Sequence, residues 1–100
     1  MEKQNVLENL WYKAANIEYE QLRDEIEAER ALLAENPNRV TALHRRNLEY
    51  LDAWLIRSRT ELDRFNLPVD TNWKNVRHEA QTTWDKLKSE AREALRELRA

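Results

Sequence analysis

The sequence predicts an all-α fold, an antiparallel up-down-up three-helix bundle folded as one domain over residues 1–100. Three observations carry that expectation. Apolar residues recur every three or four positions along nearly the whole chain, the period of one helix face. Only two prolines interrupt the period, each inside a turn signal, dividing the chain into segments of about 3–35, 39–65 and 71–99. No glycine is present, and strong helix formers (Ala, Leu, Glu, Lys, Arg) fill most remaining positions.

The first segment opens with a stripe at Leu7, Leu10, Ala14 and Ile17, then shifts by one position to Ala15, Tyr19, Leu22, Ile26 and Leu33. A wide face that meets two partners is the simplest explanation of the shift. The first turn is Asn36-Pro37-Asn38. Asn36 suits a left-handed helix end, Pro37 cannot continue a helix, and Asn38 can cap the next one. The middle segment is the most regular: His44, Leu48, Leu51, Leu55, Ser58, Leu62 and Phe65 alternate by fours and threes, widened by Val40, Asn47 and Trp54. This places Leu48, Leu51, Leu55 and Leu62 in the core. The second turn is Asn66-Leu67-Pro68-Val69-Asp70-Thr71, where Asp70 or Thr71 suits an N-cap. The third stripe runs Trp73, Val76, Ala80, Thr83, Leu87, with Trp84, Ala91, Ala94, Leu95 and Leu98 carrying it on.

Each helix would be ~40–50 Å long at 1.5 Å per residue. Short connections make sequential helices antiparallel neighbours. Charge agrees with that fit. The first segment, Met1 and Glu2 included, has nine acids against four bases, a net of −5. The second has six bases against four acids, and the third, from Asp70, seven against six. The acidic helix therefore prefers the other two to a copy of itself, although exposed pairs are individually weak.

Composition excludes several function classes. The chain has no cysteine, so disulfides, thiolate metal sites and cysteine nucleophiles are ruled out. Without glycine there is no phosphate-cradling loop of the P-loop or dinucleotide type, since both need backbone free of a Cβ. A net charge of −2 with interspersed signs argues against a nucleic-acid partner. No stretch approaches the ~20 apolar residues of a membrane span. The opening MEKQNVLENLW lacks the apolar core of a secretion signal, so the cytoplasm, as in recombinant expression, is the expected compartment.

Two histidines raise the question of a metal or acid–base site. Folding the segments about their turns sets His44 and His78 about 20 Å apart, too far to share a ligand. His78 falls off the apolar stripe and is expected in solvent. His44 lies on the seam, with Glu29 and Glu90 near the same height. Two carboxylates and an imidazole could hold a divalent cation. The plainer expectation is a hydrogen-bonded polar layer near the open end of the bundle, which helps fix register. The four tryptophans sort by height: Trp11 and Trp73 with Leu62 and Phe65, and Trp54 and Trp84 with Tyr19 and Ile17. Such levels are core more often than a ligand box. No catalytic, cofactor-binding or metal-binding residue is assigned.

Two partial resemblances point toward interaction proteins. The run Trp84-Asp85-Lys86-Leu87, continuing into Arg92, Leu95 and Leu98, resembles the third helix of a spectrin repeat. Trp73 and Trp84, eleven apart and ahead of Lys86-Leu87-Lys88, are similar to the C-terminal helix of small bacterial coiled-coil proteins linked to stress. Each covers under a third of the chain. The whole sequence more closely resembles a de novo designed three-helix bundle: 100 residues, no Cys or Gly, one break signal per turn, and helices filled with strong formers. The polar choices Asn47, Asn72, Thr82 and Thr83 resemble those of neural-network-hallucinated bundles.

The leading expectation is thus a structural scaffold without natural biochemical activity. It is expected to be a monomer, with self-association as the competing state, and to need no cofactor or partner. The alternative is a helical protein–protein interaction module, which would need an exposed apolar strip, with Tyr12, Ile56 and Trp11 as candidates. A metalloprotein built on Glu29, His44 and Glu90 is the third.

Overall fold

The computed structural model describes residues 8–100, leaving aside the side chain of Thr71. Three helices pack pairwise against one another: α1 (Leu10–Glu35), α2 (Ala42–Asp63) and α3 (Thr71–Arg99). No strand occurs among the described residues. The all-α three-helix bundle is therefore the observed fold. Side-chain pairs fix the direction of each helix. Tyr12 meets Asp63 while Tyr19 meets Leu55, so α1 and α2 run antiparallel. Trp54 meets Leu87 while Arg64 meets Glu79, so α2 and α3 do too. Trp11 meets Gln81 and Arg99 meets Glu29, so α1 and α3 run parallel. This is the up-down-up arrangement. No helix among the described residues is long and apolar enough to cross a membrane.

The end of α1 at Glu35 and both ends of α3 fall where predicted; the other ends differ, and capping explains why. The predicted start of the first helix at residue 3 lies outside the described residues, but Glu8 and Asn9 are not helical. Asn9 is the N-cap, its side-chain oxygen accepting from the Tyr12 N–H at 2.9 Å. Between α1 and α2, Pro37–Arg39 forms one 3₁₀ turn, so α2 begins at Ala42 rather than 39. Thr41, not Asn38, caps it: the His44 N–H donates to Thr41 Oγ1 at 3.1 Å. At its other end α2 stops at Asp63 rather than 65, and the Phe65 N–H turns back to the Leu62 carbonyl at 2.9 Å. Asp70 caps α3 through the Trp73 N–H, as the sequence suggests. No described residue has positive φ. Asn36 therefore ends α1 without the left-handed backbone its type suggested, as befits a chain without glycine.

The core is a long seam with a smaller cluster of Phe65, Trp73 and Ala80 beside it, and Trp11 packs against both. Ala15, Tyr19, Leu22 and Ile26 of α1 meet Leu51, Trp54 and Leu62 of α2 and Trp84, Leu87, Ala91, Ala94, Leu95 and Leu98 of α3. Leu51 and Leu62 are buried as expected, whereas Leu48 and Leu55 are half-buried at its edge. The α2 stripe is centred one position over, on Asn47, Leu51, Trp54 and Ser58. In α1 the predicted shift disappears among the described residues. Ala15, Tyr19, Leu22 and Ile26 face the core, while Leu10, Ala14 and Ile17 lie exposed on the opposite side.

Truncating the seam should separate the two kinds of position. Leu51→Ala is expected to lower the unfolding free energy by about 2–5 kcal/mol. Ile56→Ala, at a position 73% exposed, should change it by less than about 0.5 kcal/mol. Chemical denaturation of both variants measures this, and equal losses would mean that the seam is misplaced.

Candidate functional site

The expected polar layer does not assemble. Because α2 starts at Ala42, His44 is its third residue and falls among N–H groups that lack helical partners. The Thr41 N–H donates to His44 Nδ1 at 3.1 Å, completing a capping box in which histidine replaces the usual Glu or Gln. Glu29 instead accepts from Arg99 Nε at 2.8 Å, and Glu90 accepts from Arg57 at 3.0 Å. Each of the three groups is drawn to a separate partner. Among the described residues no three His, Asp or Glu side chains cluster as a metal would require. His78 is exposed, as its position off the stripe implies.

The polar contacts instead organise around aromatic side chains, at two levels. At the centre, Trp54 is 0% exposed. Its ring stacks on Tyr19 with centroids 6.0 Å apart and tilts against Trp84 at 6.3 Å. Each polar tip has a partner, as buried amphipathic aromatics need. The Trp54 indole N–H donates to the Leu87 carbonyl at 2.8 Å, and the Tyr19 hydroxyl to the Leu55 carbonyl at 2.9 Å. The Trp84 indole N–H donates to Glu18 at 2.8 Å, and Lys88 closes that unit by pairing with Glu18 at 3.2 Å. Arg59 lies over the Tyr19 ring, 4.8 Å from its centroid. It also donates to Asp63 and to the hydroxyl of Tyr12.

The second level closes the end of the bundle near the second turn. Trp11 meets Phe65 edge-on at 6.0 Å and Trp73 at 5.7 Å. The Trp11 indole donates to Gln81 at 2.7 Å. Asn9 ties the level together. While its oxygen caps α1, its amide donates to the carbonyls of Phe65 and Leu67, both at 3.0 Å. The grouping of Trp11 with Trp73 and Phe65, and of Trp54 with Trp84 and Tyr19, follows the heights read from the sequence. Ile17 does not join the second group, being 55% exposed. Asn9, Glu18 and Gln81 were missed. Only Asn9 had a readable signal, an Asn placed directly before a helical stripe.

Of the three residues proposed for an exposed strip, Trp11 and Tyr12 pack against the core and only Ile56 stands clear. An open groove of about 440 Å³ lies between α2 and α3, lined in part by Asn47, Tyr50, Glu90 and Glu93. Of its three carboxylates, Glu90 is engaged by Arg57 and Glu93 by Arg96, while Glu97 makes no ion pair among the described residues. The Asn47 amide nitrogen is buried without a partner among the described residues. Such a group costs about 1–3 kcal/mol. Neither a protein family, nor a characterised protein, nor a solved structure matches the chain.

The aromatic centre has a pH signature. Burial raises the Tyr19 phenol above its ordinary value of 10.0, against the lowering influence of the Arg59 and Arg23 guanidiniums. A group raised in the folded state contributes stability that is whole below its unfolded value and lost as pH climbs through the folded one. Stability should therefore fall above about pH 10, and Tyr19→Phe should remove part of that slope. Melts of both proteins between pH 8 and 11 measure it; identical alkaline slopes would mean the Tyr19 phenol titrates as if exposed.

Proposed function

We propose that the chain is a structural scaffold, a self-contained helical bundle of designed origin with no natural biochemical activity. The observation that carries this reading is the closure of three apolar stripes on one another within a single chain, down to a fully buried Trp54 and Leu51. Nearly every polar tip in that core is spent on structure: caps, indole bonds and interhelical ion pairs. Designed origin is supported by the sequence itself. It turns twice without glycine, it marks each turn with one proline, and capping, period and charge agree with each other. A second reading, a helical interaction module, is favoured by one observation. Leu10 and Ile17 stand 67% and 55% exposed on the outer side of α1.

The scaffold reading expects a monomer that unfolds in one steep, high-temperature step whose midpoint does not depend on protein concentration. Thermal circular dichroism beside light scattering, across a hundredfold range of concentration, reads this directly. A midpoint that rises with concentration would show that association supplies part of the stability, and a broad, low melt would contradict a scaffold.

A further inference from the structure

The outer side of α1 carries a second periodic stripe that the bundle does not use. Leu10, Ala14, Ile17, Ala28, Ala31 and Leu32 are all exposed and fall on the face turned away from Ala15, Tyr19, Leu22 and Ile26. Their spacing repeats by threes and fours, the pattern of a seam between two helices. From Leu10 to Leu32 the stripe is about 33 Å long at 1.5 Å per residue, enough for three heptads of a partner. Its middle is interrupted by Gln21 and Asp24, both exposed.

The charges beside the stripe define what can lie on it. Seven acids and three bases occupy α1. Glu20 and Glu27 line one flank; Glu20 makes no ion pair among the described residues, and Glu27 and the seam's Asp24 make only loose ones, at 3.8 and 3.5 Å, to Arg30 and Arg23. On the other flank Glu18 and Glu25 are held by Lys88 and Arg99 of α3. A second copy docking α1 on α1 would set these carboxylates against one another. A helix with Lys and Arg beside its apolar seam would neutralise them.

We propose that the outer face of α1 is a docking surface for a basic amphipathic helix, with Leu10, Ala14 and Ile17 as one apolar anchor, Ala28, Ala31 and Leu32 as the other, and Asp24 selecting a Lys or Arg at the facing seam position. This rests on the interaction-module reading and supplies its partner. Docking in this way covers the stripe without disturbing the core, because α1 meets α2 and α3 through its opposite side.

The test is isothermal titration of the full chain with two synthetic helical peptides of about 24 residues. Both carry Leu and Ala on the seam; one has Lys and Arg on its flanks and an Arg facing Asp24, the other has Glu throughout those positions. One-to-one binding of the basic peptide is expected, weakened at least tenfold by Ile17→Glu and weakened again by added salt. The acidic peptide should not bind, and Asp24→Lys should move preference toward it. Ile17 and Asp24 are exposed, and unchanged circular dichroism verifies that the variants fold. Equal binding of the basic peptide to Ile17→Glu would overturn the proposal, because attraction would then be charge alone. Binding of the acidic peptide would overturn the partner chemistry while leaving an interaction face. A dimer that Ile17→Glu dissolves would make the occupant a second copy. Binding of neither peptide would remove both the proposal and the interaction-module reading, leaving the scaffold reading untouched.

Discussion

The structure depends on the burial of Trp54. An indole is the largest side chain a narrow bundle can enclose, and its N–H must find an acceptor or cost what an unpaired buried donor costs. Trp54 solves both at once, donating to the Leu87 carbonyl of α3 while its ring lies on Tyr19 of α1. One side chain of α2 therefore fixes the height of both other helices. Trp84 tilts against it, and the Glu18–Lys88 pair then ties Trp84 back to α1. Sliding any one helix by a turn, about 5.4 Å, would break every contact that this helix makes with the other two at this level.

Around this centre the remaining interactions are corollaries. The acidic α1 draws its interhelical cations from α3: Lys88 and Arg99 hold Glu18, Glu25 and Glu29. One pair runs the other way, Arg30 with Asp52. These exposed pairs bias orientation more than they stabilise. Asn9 plays a comparable part at the far end. It caps α1 and holds the backbone of the second turn through Phe65 and Leu67. The level of Trp11, Phe65 and Trp73 is thereby fastened to the start of one helix and the end of another.

Much of this was legible in the sequence because the signals were local. Both proline turns, the Asp70 cap, the levels of the tryptophans and the burial of Leu51 and Leu62 follow from spacing and turn chemistry alone. What was not legible depended on competition. His44 lies on the seam by period, but the 3₁₀ turn at Pro37–Arg39 delays α2 and makes it a capping residue. Glu29 and Glu90 then take the arginines within reach. The stripe of Leu10, Ala14 and Ile17 has the same period as a core stripe, and periodicity cannot say which of two apolar faces a helix turns inward. Packing decided it: Tyr19, Leu22 and Ile26 offer more area to bury, leaving the smaller set outside.

The bundle closes its core around one indole and leaves an acid-flanked apolar face of α1 outside it. Whether the centre truly governs the fold is best read from hydrogen exchange of the indole N–H groups, which resolves each tryptophan separately. The structure predicts that the Trp54 indole exchanges only through global unfolding, with protection equal to the unfolding free energy from denaturant. The Trp11 indole, bonded to Gln81 near the surface, should exchange far faster through local opening. A Trp54 indole that exchanges as quickly as that of Trp11, while the protein remains folded, would contradict its central place.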